Sequence, residues 1–140
     1  MKNVRRKTLI AMACAVAFVA VGATPAQAAD FSVAAEFNCT GSLVQYGTYR
    51  AHTSGAGAKI KIDHMWWTDS QEGRWGLRNT SNSQVTNSVS FTGSGTPGTK
   101  TFTNTGGGLG IAGSSLAINA RLVGTNNCVP VPTWDGVLTQ

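Results

Sequence analysis

Hydrophobic and polar residues alternate in short runs along most of the chain, and polar, glycine-rich segments separate these runs. The clearest run extends from Phe31 to Cys39, where every second residue is apolar or cysteine. Because successive side chains of a strand point to opposite faces, this alternation predicts a strand with one buried face. The chain beyond residue 29 has no long stretch of helical periodicity. The pattern predicts an all-β fold, a small antiparallel β-sandwich of seven or eight strands and of the immunoglobulin-like kind.

The later part of the chain contains two elements that need separate arguments. Leu116 to Leu122 alternates as a strand does, although Ser114 or Ser115 could cap the N-terminus of a helix that Gly124 would end. The strand is favoured because its neighbours are strands. Pro130 and Pro132 exclude a central strand at their own positions, so 133–139 is predicted to be a terminal edge strand. The other predicted strands are 43–51, 58–68, 74–80, 85–92 and 99–104.

Residues 59–80 hold three of the four tryptophans and predict a β-hairpin. Ile60 and Ile62 define the buried face of its first strand, and the same parity would place His64 and Trp66 on that buried face. Trp75 lies in the second arm of the hairpin. Burial in the core is favoured for Trp75, and it is also a candidate for a contact surface.

Trp67 has the opposite parity and is expected on the outer face. Lys59, Lys61 and Asp63 share that face, because burying their charges unpaired would be costly. A tryptophan among exposed charges can anchor a protein partner or stack on a sugar ring. Trp67, Lys59, Lys61 and Trp75 are therefore the candidate partner- or glycan-binding residues.

The first 29 residues have the character of a cleaved secretory signal peptide. A basic segment precedes 13 apolar residues, Leu9 to Val21, and Ala26-Gln27-Ala28 supplies the small residues that a signal peptidase recognises. The apolar run is shorter than the roughly 20 residues that a bilayer requires. We therefore expect a secreted, extracellular protein of bacterial type, with residues 30–140 forming a single β-sandwich domain.

Removal of this leader changes the charge of the protein. Four of the 11 Lys and Arg residues lie in it, so seven remain against six acidic residues. A net charge near +1 gives no support for binding to nucleic acid or to a membrane.

Cys39 and Cys128 are the cysteines that remain after removal of the leader, and in an oxidising compartment such a pair predicts a disulfide.

Residues suited to catalysis or to metal binding are sparse. His52 and His64 have no evident nucleophile, and Asp63 and His64 would point to opposite faces of a regular strand. Residues 108–113 match G-x-G-x-x-G by letter, but they lack the strand–loop–helix context of a phosphate-binding loop. The sequence predicts no enzyme, no cofactor and no metal site.

These observations favour a secreted, non-enzymatic protein-binding module: an inhibitor, an adaptor or a subunit of an extracellular complex. The alternative is a carbohydrate- or cell-wall-binding module that uses an exposed tryptophan on a sheet face. A secreted protein is the expected partner and a polysaccharide the alternative one.

Overall fold

The computed structural model describes residues 28–38, 41–66, 71–93, 97–124 and 131–140. The described residues form strands and no helix, so the predicted all-β class is confirmed. None of them forms a helix that is long and apolar enough to span a membrane. The strands are β1 (Asp30–Glu36), β2 (Val44–Ala51), β3 (Lys59–Trp66), β4 (Glu72–Asn79), β5 (Val89–Thr92), β6 (Gly98–Thr101), β7 (Ser115–Val123) and β8 (Thr133–Thr139).

The strands form two four-stranded antiparallel sheets. Sheet 1 has the order β1-β8-β3-β6 and sheet 2 the order β2-β7-β4-β5. This order is that of a jelly roll, in which the chain passes from one sheet to the other at nearly every connection. An immunoglobulin-like sandwich instead pairs its first two strands within one sheet. The expectation of a β-sandwich therefore agrees with the structure, and that of an immunoglobulin-like topology is wrong.

The predicted hairpin at residues 59–80 is also wrong. β3 lies in sheet 1 between β8 and β6, whereas β4 lies in sheet 2 between β7 and β5. Each strand has one apolar face, and the two faces meet across the sandwich instead of lining the same sheet. These two successive strands therefore belong to different sheets.

The C-terminal strand is central and not, as predicted, at an edge. β8 pairs with β1 on one side and with β3 on the other. Both prolines precede Thr133, so every residue of β8 keeps the backbone N–H that a central strand needs. The favoured strand assignment at 115–123 is confirmed by β7, and the helical alternative is wrong.

One aromatic cluster joins the two sheets. Trp75 of sheet 2 and Trp134 of sheet 1 are almost fully buried and meet edge to face, with ring centroids 5.4 Å apart. Phe37 contacts both rings, at 5.5 and 6.2 Å. Aromatic pairs of this geometry contribute about 0.5–1.5 kcal/mol each beyond the area they bury. This contact is evidence that the two inner faces share one core.

The predicted strand at 85–92 is shorter than expected. β5 covers only its last four residues, and Thr86, expected on the outer face, is buried. The reason is a hydrogen bond, because the Thr86 hydroxyl accepts the Leu77 backbone N–H at 2.9 Å. Satisfying a buried backbone donor in this way compensates for burying the threonine.

Candidate functional site

The outer face of sheet 1 carries most of the acidic residues and the exposed tryptophan of the described chain. Register fixes its layout: Asp135 on β8 lies opposite Ala34 on β1 and opposite His64 on β3. Two residues further along β3, Trp66 lies opposite Thr133. We call this surface the Trp66 face; its outward residues are Asp30, Glu36, Lys59, Lys61, Asp63, His64, Trp66, Thr133 and Asp135.

A β-bulge in β3 creates this arrangement. Ile62 pairs with Gly136 and His64 pairs with Asp135, so Asp63 is an extra residue on the β3 side. After the bulge the alternation is reversed: Met65 is buried, and Trp66 is 51% exposed. The prediction that Trp66 points into the core is therefore wrong.

Two consecutive polar residues explain why the bulge is favourable. In a regular strand either Asp63 or His64 would face the core, at the cost of burying a polar group. The extra residue lets both reach the surface. The Asp63-His64 pair was the signal for the bulge in the sequence, and the assumption of unbroken alternation missed it.

Gly136 is the second requirement for the bulge. A Cβ at this position would lie 2.0 Å from the Lys61 carbonyl oxygen, so only glycine admits the close approach of β3 to β8. The sequence gives no sign of this requirement, because Gly136 simply interrupts an apolar alternation.

The side chains of Asp135, His64 and Trp66 form a contiguous row. His64 Nδ1 lies 3.0 Å from an Asp135 carboxylate oxygen. Because a carboxylate accepts hydrogen bonds, Nδ1 is the donor, which leaves Nε2 available to a ligand. The imidazole stacks on the Trp66 indole with centroids 5.3 Å apart and planes 17° apart. One face of the indole is thus held by His64 while much of the ring remains exposed.

A second charged pair lies beside this row. Lys61 Nζ is 2.5 Å from an Asp63 carboxylate oxygen, and the two side chains are 55% and 30% exposed. Exposed pairs of this kind contribute less than about 1 kcal/mol to stability. Their effect is therefore on the charge pattern around Trp66 and not on the fold.

The predicted contact residues have different positions. Lys59 and Lys61 are exposed on the Trp66 face, as the parity of β3 predicted. Trp75 is fully buried in the aromatic cluster, which agrees with its expected place in the core, so it is not available as a contact residue. Trp67, Cys39 and Cys128 lie outside the described residues, so the contact role of Trp67 and the disulfide stay predictions. Sequence reasoning missed Trp66, His64 and Asp135.

The glycine-rich loop, residues 106–113, is organised by one side chain. The Asn104 carboxamide oxygen accepts the N–H groups of Gly106 and Gly108 at 2.9 and 3.0 Å, and its amide nitrogen donates to the Gly110 carbonyl at 2.7 Å. Strand β7 follows the loop, and the helix that a phosphate-binding loop requires is not present there. The loop is therefore ordered, with Leu109 exposed.

His52 lies under this loop and is 6% exposed. The loop is anchored on the neighbouring turn, where the Gly55 N–H donates to the Ile111 carbonyl and the Ile111 N–H donates to the Ala56 carbonyl, at 2.8 and 2.9 Å. Burial lowers the pKa of His52, and the backbone of Ile111 and Ala56 partly opposes that shift. His52 thus behaves as a neutral, structural histidine.

Catalytic groups do not converge in the described part of the chain. His64 has a carboxylate partner, but no described hydroxyl or thiol bonds to it. No three His, Cys, Asp or Glu side chains among these residues are placed to hold a metal ion. The Trp66 face presents an exposed indole and a row of charged side chains to solvent.

Comparisons with protein families, with curated protein sequences and with solved structures gave no match for this chain.

Proposed function

We propose that the protein is a secreted, non-enzymatic binding module and that a protein partner binds the Trp66 face. The observation that carries the proposal is the exposure of Trp66 at 51% on a sheet face, with one side of its ring held by His64. Tryptophan is enriched among the residues that dominate binding energy. A side chain that is already held in place loses less conformational entropy on binding.

The charges around Trp66 support a protein partner over other ligands. By register Glu36 and Asp135 lie near the indole, and the Lys61–Asp63 pair lies further along β3, which is the pattern of an aromatic anchor inside a polar rim. Such rims give orientation and association rate more than affinity. Among the described residues of this face Trp66 is the one Phe, Tyr or Trp side chain, whereas an extended aromatic platform would indicate a polysaccharide.

A glycan remains the second candidate, and one observation favours it. A shallow groove on the same face of sheet 1 is lined by Asp63, Asp135 and Ser32, and Asp135 is also the partner of His64. Carboxylates and hydroxyls of this kind can hydrogen-bond the hydroxyl groups of a sugar.

Affinity capture of the tagged protein from spent culture medium tests the proposal. We expect stoichiometric recovery of one other secreted protein by the wild type and its loss with Trp66→Ala. Trp67→Ala, made separately, tests the sequence prediction for the neighbouring residue. Leu109→Ala is the matched control, because Leu109 is exposed but lies in the glycine-rich loop.

The outcomes separate the two candidates. Recovery of no protein, together with Trp66-dependent retention on an insoluble polysaccharide, would replace the protein partner by a glycan. Recovery of a partner that Trp66→Ala binds as well as wild type would exclude the Trp66 face as the contact surface.

A further inference from the structure

A cavity of about 130 Å³ lies between the two sheets, where the edge strands β1 and β2 face each other. Its apolar walls come from both sheets: Val33 and Leu138 from sheet 1, and Ile118 from sheet 2. An engineered apolar cavity of about 150 Å³ in another protein binds benzene. The space between the sheets is therefore suited to one small ring or a short branched chain.

Two polar atoms of residues that line this cavity are buried donors without an acceptor among the described residues. They are the Tyr46 hydroxyl and the Trp134 indole nitrogen. Burial raises the pKa of Tyr46, with a smaller opposing effect from the Asn38 backbone, so the hydroxyl keeps its proton and remains a donor. Buried donors are almost always satisfied in native proteins, so two donors without an acceptor beside one cavity indicate that a ligand with an acceptor group can occupy it.

A cation also lines this cavity. The Arg50 guanidinium lies over the Phe31 ring, 4.6 Å from its centroid, and it forms no ion pair or side-chain hydrogen bond among the described residues. The opposite side of the sandwich differs, because Lys100 there donates to the Ser90 backbone carbonyl. Arginine presents a planar fork of donors that matches a carboxylate.

We propose that this cavity binds a small carboxylic acid with a single ring, of the size of benzoate. Its ring fills the apolar space between the sheets, and its carboxylate accepts hydrogen bonds from Arg50. This site lies between the sheets, so it is independent of the partner proposed for the Trp66 face.

Titration of the ¹⁵N-labelled protein with sodium benzoate tests the proposal, with the indole N–H signals as the readout. Benzamide, which has the same shape but no charge, is the matched ligand. We expect saturable shifts with benzoate and at least about tenfold weaker binding of benzamide, because a charge-assisted hydrogen bond is roughly twice as strong as a neutral one. Arg50→Gln should weaken benzoate by a similar factor and remove the preference for it over benzamide.

Two further variants control the interpretation. Arg121→Gln removes an exposed arginine on the outer face of sheet 2 and should leave benzoate affinity unchanged. Val33→Phe should fill the cavity and abolish binding. If Val33→Phe does not fold, as judged by its circular dichroism, Arg50→Gln with the benzamide comparison decides the question alone.

Three results would overturn the proposal. They are the absence of any saturable shift with benzoate, equal affinity for benzoate and benzamide in the wild type, and equal loss of affinity in Arg50→Gln and Arg121→Gln. The last result would show a general attraction of anions and not a defined site.

Discussion

Gly136→Ala should disrupt both the stability of the protein and the bulge that exposes Trp66. The new Cβ would lie 2.0 Å from the Lys61 carbonyl oxygen and 3.0 Å from the Ile62 Cα. Non-bonded heavy atoms settle at about 3.5–4.0 Å, so β3 would have to move by about 1.5 Å relative to β8. The colliding atoms belong to the backbone, which cannot relieve the contact by changing a rotamer.

The expected cost follows from this geometry. Overpacking that side chains can relieve costs about 1–3 kcal/mol. We therefore expect the free energy of unfolding to fall by about 3 kcal/mol or more, equivalent to about 10 °C or more in Tm for a domain of this size.

Urea denaturation of the wild type, Gly136→Ala and Gly57→Ala measures this difference. Gly57 is the matched control, since a Cβ there would meet its nearest neighbour, the Leu109 carbonyl oxygen, at an ordinary 3.6 Å. Gly57→Ala should change stability by less than about 1 kcal/mol, and a small gain is expected from the reduced entropy of the unfolded chain. A loss below about 0.5 kcal/mol in Gly136→Ala would refute the account of the bulge.

Three further predictions concern other parts of the molecule. Burial in the fold lowers the pKa of His52, whereas the unfolded chain protonates this residue near its ordinary pKa of about 6.5. The free energy of unfolding should therefore fall as the pH drops below that value. His52→Asn should remove this pH dependence, and an unchanged dependence in the variant would contradict the prediction. Asn104→Ala removes three loop hydrogen bonds and should lower the free energy of unfolding by about 1–3 kcal/mol. The Gly108 amide should then lose its protection in hydrogen exchange, and retained protection would count against this prediction. Reduction of the predicted Cys39–Cys128 disulfide should lower stability by about 4–5 kcal/mol, because the bond would close a loop of 89 residues; an equal Tm with and without reductant would argue against the bond.

The strand content could be predicted from the sequence because the core faces of the strands alternate regularly. Val33 and Ala35 in β1 and Leu116, Ile118, Ala120 and Leu122 in β7 keep strict parity, and these strands were predicted close to their observed bounds. Alternation shows which face is buried, but it does not show which strand lies alongside. The hairpin at 59–80 and the edge position of β8 were wrong for this reason.

The candidate site was predicted only in part because its defining feature is a break in the alternation. Lys59 and Lys61 precede the bulge, and their exposure followed from parity. His64 and Trp66 follow it, and their side chains are reversed by one inserted residue. Asp135 is 71 residues away from His64 along the chain, so their contact depends on the register of β8 against β3. The register of two strands so far apart along the chain cannot be inferred from a local sequence pattern.

The affinity of the captured partner for Trp66→Ala, relative to wild type and Leu109→Ala, tests the central claim most directly. If the Trp66 face is the contact surface, Trp66→Ala should raise Kd by about 30-fold or more, as expected for the loss of a tryptophan hot spot of 2 kcal/mol or greater. Leu109→Ala should leave Kd unchanged, and both variants should keep the wild-type Tm within a few degrees. Equal Kd values for Trp66→Ala and wild type would contradict the proposed binding surface.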